Sequence, residues 1–113
     1  MKAILTINGQ IVPLYFSVEA ALYIMQQPEI ENMKEGDQVS FTQAAIIAYG
    51  GYKGECLANR EMEVLKFRDF YEYVNDSTKN GPSELAAAIE AYMQSLSFGL
   101  QKKEEAVEEE KKS

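Results

Sequence analysis

Residues 46–61 read IIAYGGYKGECLANRE, with Gly50, Gly51 and Gly54 directly behind an apolar run. The reading of this stretch decides the fold. A phosphate-cradling loop needs a strand before the glycines, a turn made by them, a helix N-terminus behind them and usually a Lys followed by Ser or Thr. Lys53 is present, but Gly54, Glu55 and Cys56 follow it, so that sequel is missing. A helix explains more. Ser40 and Gln43 have the capping-box spacing immediately before the apolar run, which places a helix start ahead of the glycines. If that helix continues, Gly50, Gly54 and Ala58 recur every four residues, with Ile47 and Gly51 beside them, and leave a flat strip of backbone. Each interior glycine costs a helix about 1 kcal/mol relative to Ala. The cluster therefore predicts either a bend or a close contact with another element. Tyr49 and Tyr52 flank the strip and are expected to turn their rings inward with the hydroxyls at the surface. Tyr49, Gly50, Tyr52 and Gly54 are candidate partner-binding residues if the close contact is made with another chain.

Outward from this helix, the chain opens with KAILTINGQIVPLYF, where Asn8 and Gly9 form the positive-φ dipeptide of a two-residue hairpin turn. Pairing Ile7 with Gln10 sets Leu5 beside Val12 and Ala3 beside Leu14 on one face, with Ile4, Thr6, Ile11 and Tyr15 on the other. Both faces carry apolar groups. An isolated two-stranded ribbon is marginal in water, so the hairpin is expected to pack on helices, on another chain, or on both. Pro13 cannot donate a ladder hydrogen bond, so its backbone edge is expected outside the pairing. The opposite edge is then open to an added strand. Ile4, Ile11 and Tyr15 complete the set of candidate partner contacts.

Ser17 can cap a helix to about Gln27, with Val18, Ala21, Leu22 and Met25 as its inward face and Pro28 as its stop. Residues 29–39 are charged, contain Gly36 and read as a connection with room for one helical turn. Beyond the glycine helix, EVLKFRDFYEYVND divides into an extended piece at residues 65–67 and a helix to about Asn75, with Phe67, Phe70, Tyr71 and Val74 inward. STKNGP is expected to break the chain. Ser83 can cap a last helix whose stripe is Leu85, Ile89, Tyr92, Met93 and Leu96, ending near Gly99. The predicted fold class is α+β and mainly α-helical, an N-terminal β-hairpin followed by about four helices packed as one domain over residues 1–100. The charged residues 101–113 are expected to be a disordered tail.

Composition narrows the function. A chain of 113 residues with 46% apolar residues supports one modest core. The formal charge of -7 opposes binding to nucleic acid or an anionic membrane. No apolar run approaches the ~20 residues of a membrane span. The lone Cys56 and the alternating N-terminal pattern, which lacks a signal-peptide core, point to a reducing, cytoplasmic setting. With no His, the usual proton-transfer residue and commonest metal ligand are missing. Cys56 is expected to be a small buried apolar residue rather than a reactive thiol. No carboxylate pair stands out by spacing, and neither cofactor nor metal is expected.

Taken in order, LTINGQ, FSVEAALYIM, AAIIAYGGYKGE and LKFRDFYEYVND, ahead of a last helix and a charged tail, resemble the small tail assembly chaperones of long-tailed bacteriophages and prophages. The resemblance lies in arrangement and spans residues 2–98. Lys66 departs from it, standing where a Ser or Thr would begin the third long helix. The resemblance implies a non-catalytic protein of the host bacterial cytoplasm, absent from the mature virion, that binds the tape-measure protein and helps recruit tail-tube protein. It leaves homo-oligomer formation open. The first rival is an acidic DNA-mimic inhibitor of a host nucleic-acid-binding protein, since residues 1–100 alone carry more acids than bases. An enzyme using carboxylates alone ranks last.

Overall fold

The computed structural model describes residues 1–31, 39–80 and 84–96. Strands β1 (Lys2–Ile7) and β2 (Gln10–Tyr15) pair antiparallel in the predicted register, Ile7 with Gln10, Leu5 with Val12 and Ala3 with Leu14. Asn8 and Gly9 turn the chain at φ 51° and 78°, the two positive values that a type I′ turn requires. The hairpin turns Leu5, Ile7, Val12 and Leu14 into the core. Because the pair closing a two-residue loop is hydrogen-bonded, alternation makes Ile4 and Pro13 a non-hydrogen-bonded pair, so the missing N–H of Pro13 lies on the outer edge. Phe16 adds a rung by donating its N–H to the Met1 carbonyl at 2.8 Å.

Helix α1 (Val18–Met25) begins at Ser17, whose hydroxyl accepts the Ala20 N–H at 3.2 Å. Pro28 ends it and opens the single turn α2 (Pro28–Glu31), since a proline without an N–H is tolerated only at a helix start. The long helix α3 (Phe41–Asn59) has the predicted capping box: the Ser40 N–H donates to Gln43 Oε1 at 2.9 Å, and the Gln43 N–H donates to Ser40 Oγ at 3.1 Å. Its glycines lie inside an unbroken helix. Of the two expectations for them, close contact holds. Arg60 closes α3 in the left-handed region at φ 54°, and the Glu61 N–H returns to the Cys56 carbonyl, a cap more often built on glycine.

Helix α4 (Phe67–Asn80) begins without a capping side chain at Lys66, and Asp69 compensates by accepting the Lys66 N–H at 2.8 Å. The helix runs through Asn80 rather than ending at Asn75. Ser77, Thr78, Lys79 and Asn80 keep their backbone donors, and the strong breakers Gly81 and Pro82 come only after them. A final helix, α5, covers residues 84–96. Phe70 and Val74 of α4 and Leu85, Ala88 and Tyr92 of α5 are buried, whereas Phe67, Tyr71 and Met93 are partly exposed. The inward side of α4 is therefore rotated from the expected one toward Tyr73, which packs against the core. Two groups of buried side chains meet at Val39, Tyr73 and Ile89 and make one continuous interior. The expectations for Gly36, the Gly81–Pro82 break, the Ser83 cap, the Gly99 stop and the 101–113 tail lie outside the described residues.

The largest correction concerns α1. Ala20 and Ile24 are buried, while Val18, Leu22 and Met25, three of the four residues assigned inward, are exposed; Ala21 is half-buried. The reason is on α3. A β-carbon on Gly50 would collide with the Ile24 side chain, and one on Gly54 would meet the Tyr15 carbonyl and stand 2.8 Å from the Ala20 β-carbon. The glycines admit the small Ala20 and the neighbouring Ile24 at the same four-residue spacing, in opposite chain direction. That close approach fixes which side of α1 faces inward.

Candidate functional site

The residues singled out from the sequence separate into two groups. Gly50 and Gly54 lie under α1 and the end of β2, so the flat strip is filled by this chain's own elements. Gly51 is covered in the same way, its absent side chain leaving room for Phe16 and Leu14. Tyr52 is buried, and its ring lies 5.3 Å from that of Phe70. Its hydroxyl is tied to backbone. It accepts the N–H groups of Val64 and Leu65, at 2.7 and 3.1 Å, and so fastens residues 61–66 to α3.

Tyr49 stands between Tyr23, Phe67 and Phe70, with ring centroids 6.4, 5.9 and 5.5 Å away. Lys53 Nζ sits over both Tyr23 and Tyr49, 5.2 and 4.8 Å from their centroids, and donates to the two Glu63 oxygens at 3.0 and 3.2 Å. The Tyr49 hydroxyl donates to Glu63 as well, at 3.1 Å. Burial opposes the charge of Lys53, but its hydrogen bonds to Glu63 and Tyr49 outweigh that and raise its pKa above the ordinary lysine value. Burial, then the bond to Glu63, raises the Tyr49 phenol. The paired carboxylate and ammonium, with the phenol bonded to them, tie the segment after α3 back onto that helix.

The second group is at the surface. Ile4 is 54% exposed and Ile11 71%, and the register makes them diagonal neighbours on the outer face of the hairpin. Tyr15 is half-buried there, with Lys2 Nζ 5.5 Å from its ring centroid. The β1 edge is less open than expected. Thr6 belongs to a non-hydrogen-bonded pair, so its N–H points away from β2, and it donates to Glu84 Oε2 at 2.9 Å. The Thr6 hydroxyl donates to Oε1 at 2.8 Å, and Tyr73 Oη donates to Oε2 at 3.0 Å. The Thr6 N–H, then its hydroxyl, then that of Tyr73, lower the Glu84 pKa below the usual glutamate value. Glu84 thus joins β1, α4 and α5 across 78 residues of chain.

What sequence reasoning missed is the outer side of α1. Val18, Leu22 and Met25, at i, i+4 and i+7, are 74, 52 and 47% exposed. A signal for it was present: Glu19 is the only polar residue in VEAALYIM, so the helix is apolar on both sides and cannot bury both against one core.

The described residues contain no group of His, Cys, Asp and Glu able to hold a metal ion, and no helix among them is long and apolar enough to cross a membrane. Cys56 is free and buried, as expected of a packing residue. Tyr92 is fully buried against Phe16, its hydroxyl has no hydrogen-bond partner among the described residues, and burial pushes its pKa up to about 12. No family model matches the chain, and no curated protein or solved structure is detectably similar to it. The site is therefore defined by its own surface: two exposed apolar faces, on the hairpin and on α1, carried by an acidic chain.

Proposed function

We propose that this chain is a non-catalytic phage tail assembly chaperone, which holds the tape-measure protein in the host cytoplasm, helps bring tail-tube subunits to it and is absent from the finished virion. The observation that carries the reading is the pair of exposed apolar faces, Ile4 with Ile11 and Val18 with Leu22 and Met25, on a chain of formal charge -7. A holder of an aggregation-prone helical protein needs apolar contact area together with a charged surface that keeps the complex in solution. The arrangement of the sequence over residues 2–98 supports the same reading through its resemblance to such chaperones. The polar groups with shifted pKa values add nothing catalytic: Lys53, Tyr49 and Glu84 hold loops and edges, and Tyr92 is shut inside.

The order of genes around the coding sequence tests the proposal. A tail-tube gene upstream, with a very long gene for a helical protein downstream, is the expected result. Neighbours of ordinary metabolism would remove the reading.

A further inference from the structure

α1 has two apolar sides, and the described residues cover only one of them. Ala20 and Ile24 lie on the glycines of α3, while Val18, Leu22 and Met25 project within an arc of about 60° on the opposite side. Exposed apolar residues scattered singly need no explanation, but three aligned along one helix form a ridge of the kind that seats in the groove of another helix. Charge points to the kind of helix: Lys53, whose Nζ lies 5.2 Å from the ring centroid of Tyr23 on α1, is held by Glu63. Residues 18–31, which make α1 and α2, contain Glu19, Glu29 and Glu31 and no Lys or Arg, and all three acids are exposed. A second copy would bring together two chains of charge -7. An anionic bilayer is disfavoured by the same charges.

We propose that the outer face of α1 is the docking site for an amphipathic helix whose apolar stripe is flanked by Lys or Arg. Leu22 is the centre of the contact, with Val18 and Met25 one turn to either side. As the surface used by the proposed chaperone, this site rests on that reading; as a helix-binding face it is tested separately.

The probe is a synthetic amphipathic peptide with Leu along one face and Lys beside it, titrated calorimetrically into the full chain, together with a twin carrying Glu in place of Lys. The Lys peptide is expected to bind, and the Glu peptide to bind at least about tenfold more weakly. Leu22→Glu and Val18→Glu should each weaken the Lys peptide about tenfold, while Met62→Glu, at an 88% exposed position in the segment after α3, should not. Circular dichroism establishes that each variant is folded, and the two α1 variants serve as checks on one another. Failure of the Lys peptide to bind, equal binding of both peptides, or undiminished binding by folded Leu22→Glu and Val18→Glu chains overturns the proposal. So does a chain mass in sedimentation that doubles with concentration and reverts in Leu22→Glu, which would make the occupant a second copy. Peptide binding through Leu22 by a chain that leaves a tape-measure protein insoluble would keep the site and remove the chaperone reading. Chaperone action that survives Leu22→Glu would do the reverse.

Discussion

Gly54 and Tyr92 test the packing of the interior in opposite ways. An added methyl at Gly54 meets backbone, the Tyr15 carbonyl, as well as the Ala20 β-carbon; at Gly50 it meets Cγ1 and Cδ1 of Ile24, a fully buried side chain with no free space to turn into. Overpacking costs about 1–3 kcal/mol, and either substitution returns about 1 kcal/mol of helix propensity. Gly54→Ala and Gly50→Ala should therefore each destabilise by about 1–2 kcal/mol. Urea denaturation measures both, and two variants as stable as the wild-type chain would contradict the α1–α3 contact described here. Tyr92 carries a buried hydroxyl without a described partner, and an unsatisfied polar group costs about 1–3 kcal/mol. Tyr92→Phe should raise stability by about 1 kcal/mol at neutral pH. Because the folded pKa, about 12, lies above the ordinary tyrosine value, the wild-type chain keeps the stability linked to this phenol below about pH 10 and loses it as the pH rises through 12. That alkaline loss should be absent from the Phe variant.

At the scale of the elements, the strands and helices with local signals were legible and the contacts between them were not. Asn8–Gly9 and the alternation around it specify the hairpin and its register, and Ser17 and the Ser40–Gln43 box specify two helix starts, because turns and caps are made by residues near in sequence. The glycine spacing foretold a close contact. It did not say with what, and the inward side of α1 came out reversed because that side is chosen by Gly50 and Gly54, some 30 residues away. Glu84 was invisible for the same reason. Nothing around residue 84 announces that its carboxylate will accept the outward N–H of Thr6 and hold β1 against α5. Removing its charge in Glu84→Gln should cost about 1 kcal/mol at neutral pH, a value at the low end for bonds to a charged group because solvent reaches the site. Its folded pKa lies below the ordinary glutamate value, so this stability is present above that value and is lost as the pH falls through the folded one. Thermal melts of both chains should therefore converge in acid, and a constant gap down to low pH would contradict the role given to the carboxylate.

For the whole molecule, the glycine helix is an internal platform. It draws α1 and the hairpin close, and in doing so leaves the other side of α1 and the outer face of β1–β2 in water. Of the candidate contacts marked in the sequence, Gly50, Gly54 and Tyr52 serve this platform, Tyr49 belongs to the half-buried aromatic cluster beside it, and Ile4 and Ile11 remain at the surface with Tyr15 half-covered. In the proposed reading, function is a property of this surface, and the partner covers what the fold leaves exposed. Co-production of this chain with a tape-measure protein encoded beside it, followed by centrifugation and size-exclusion chromatography, tests that claim most directly. The account predicts that the tape-measure protein stays in the supernatant and elutes together with this chain. A tape-measure protein that pellets equally with and without the chain would contradict it.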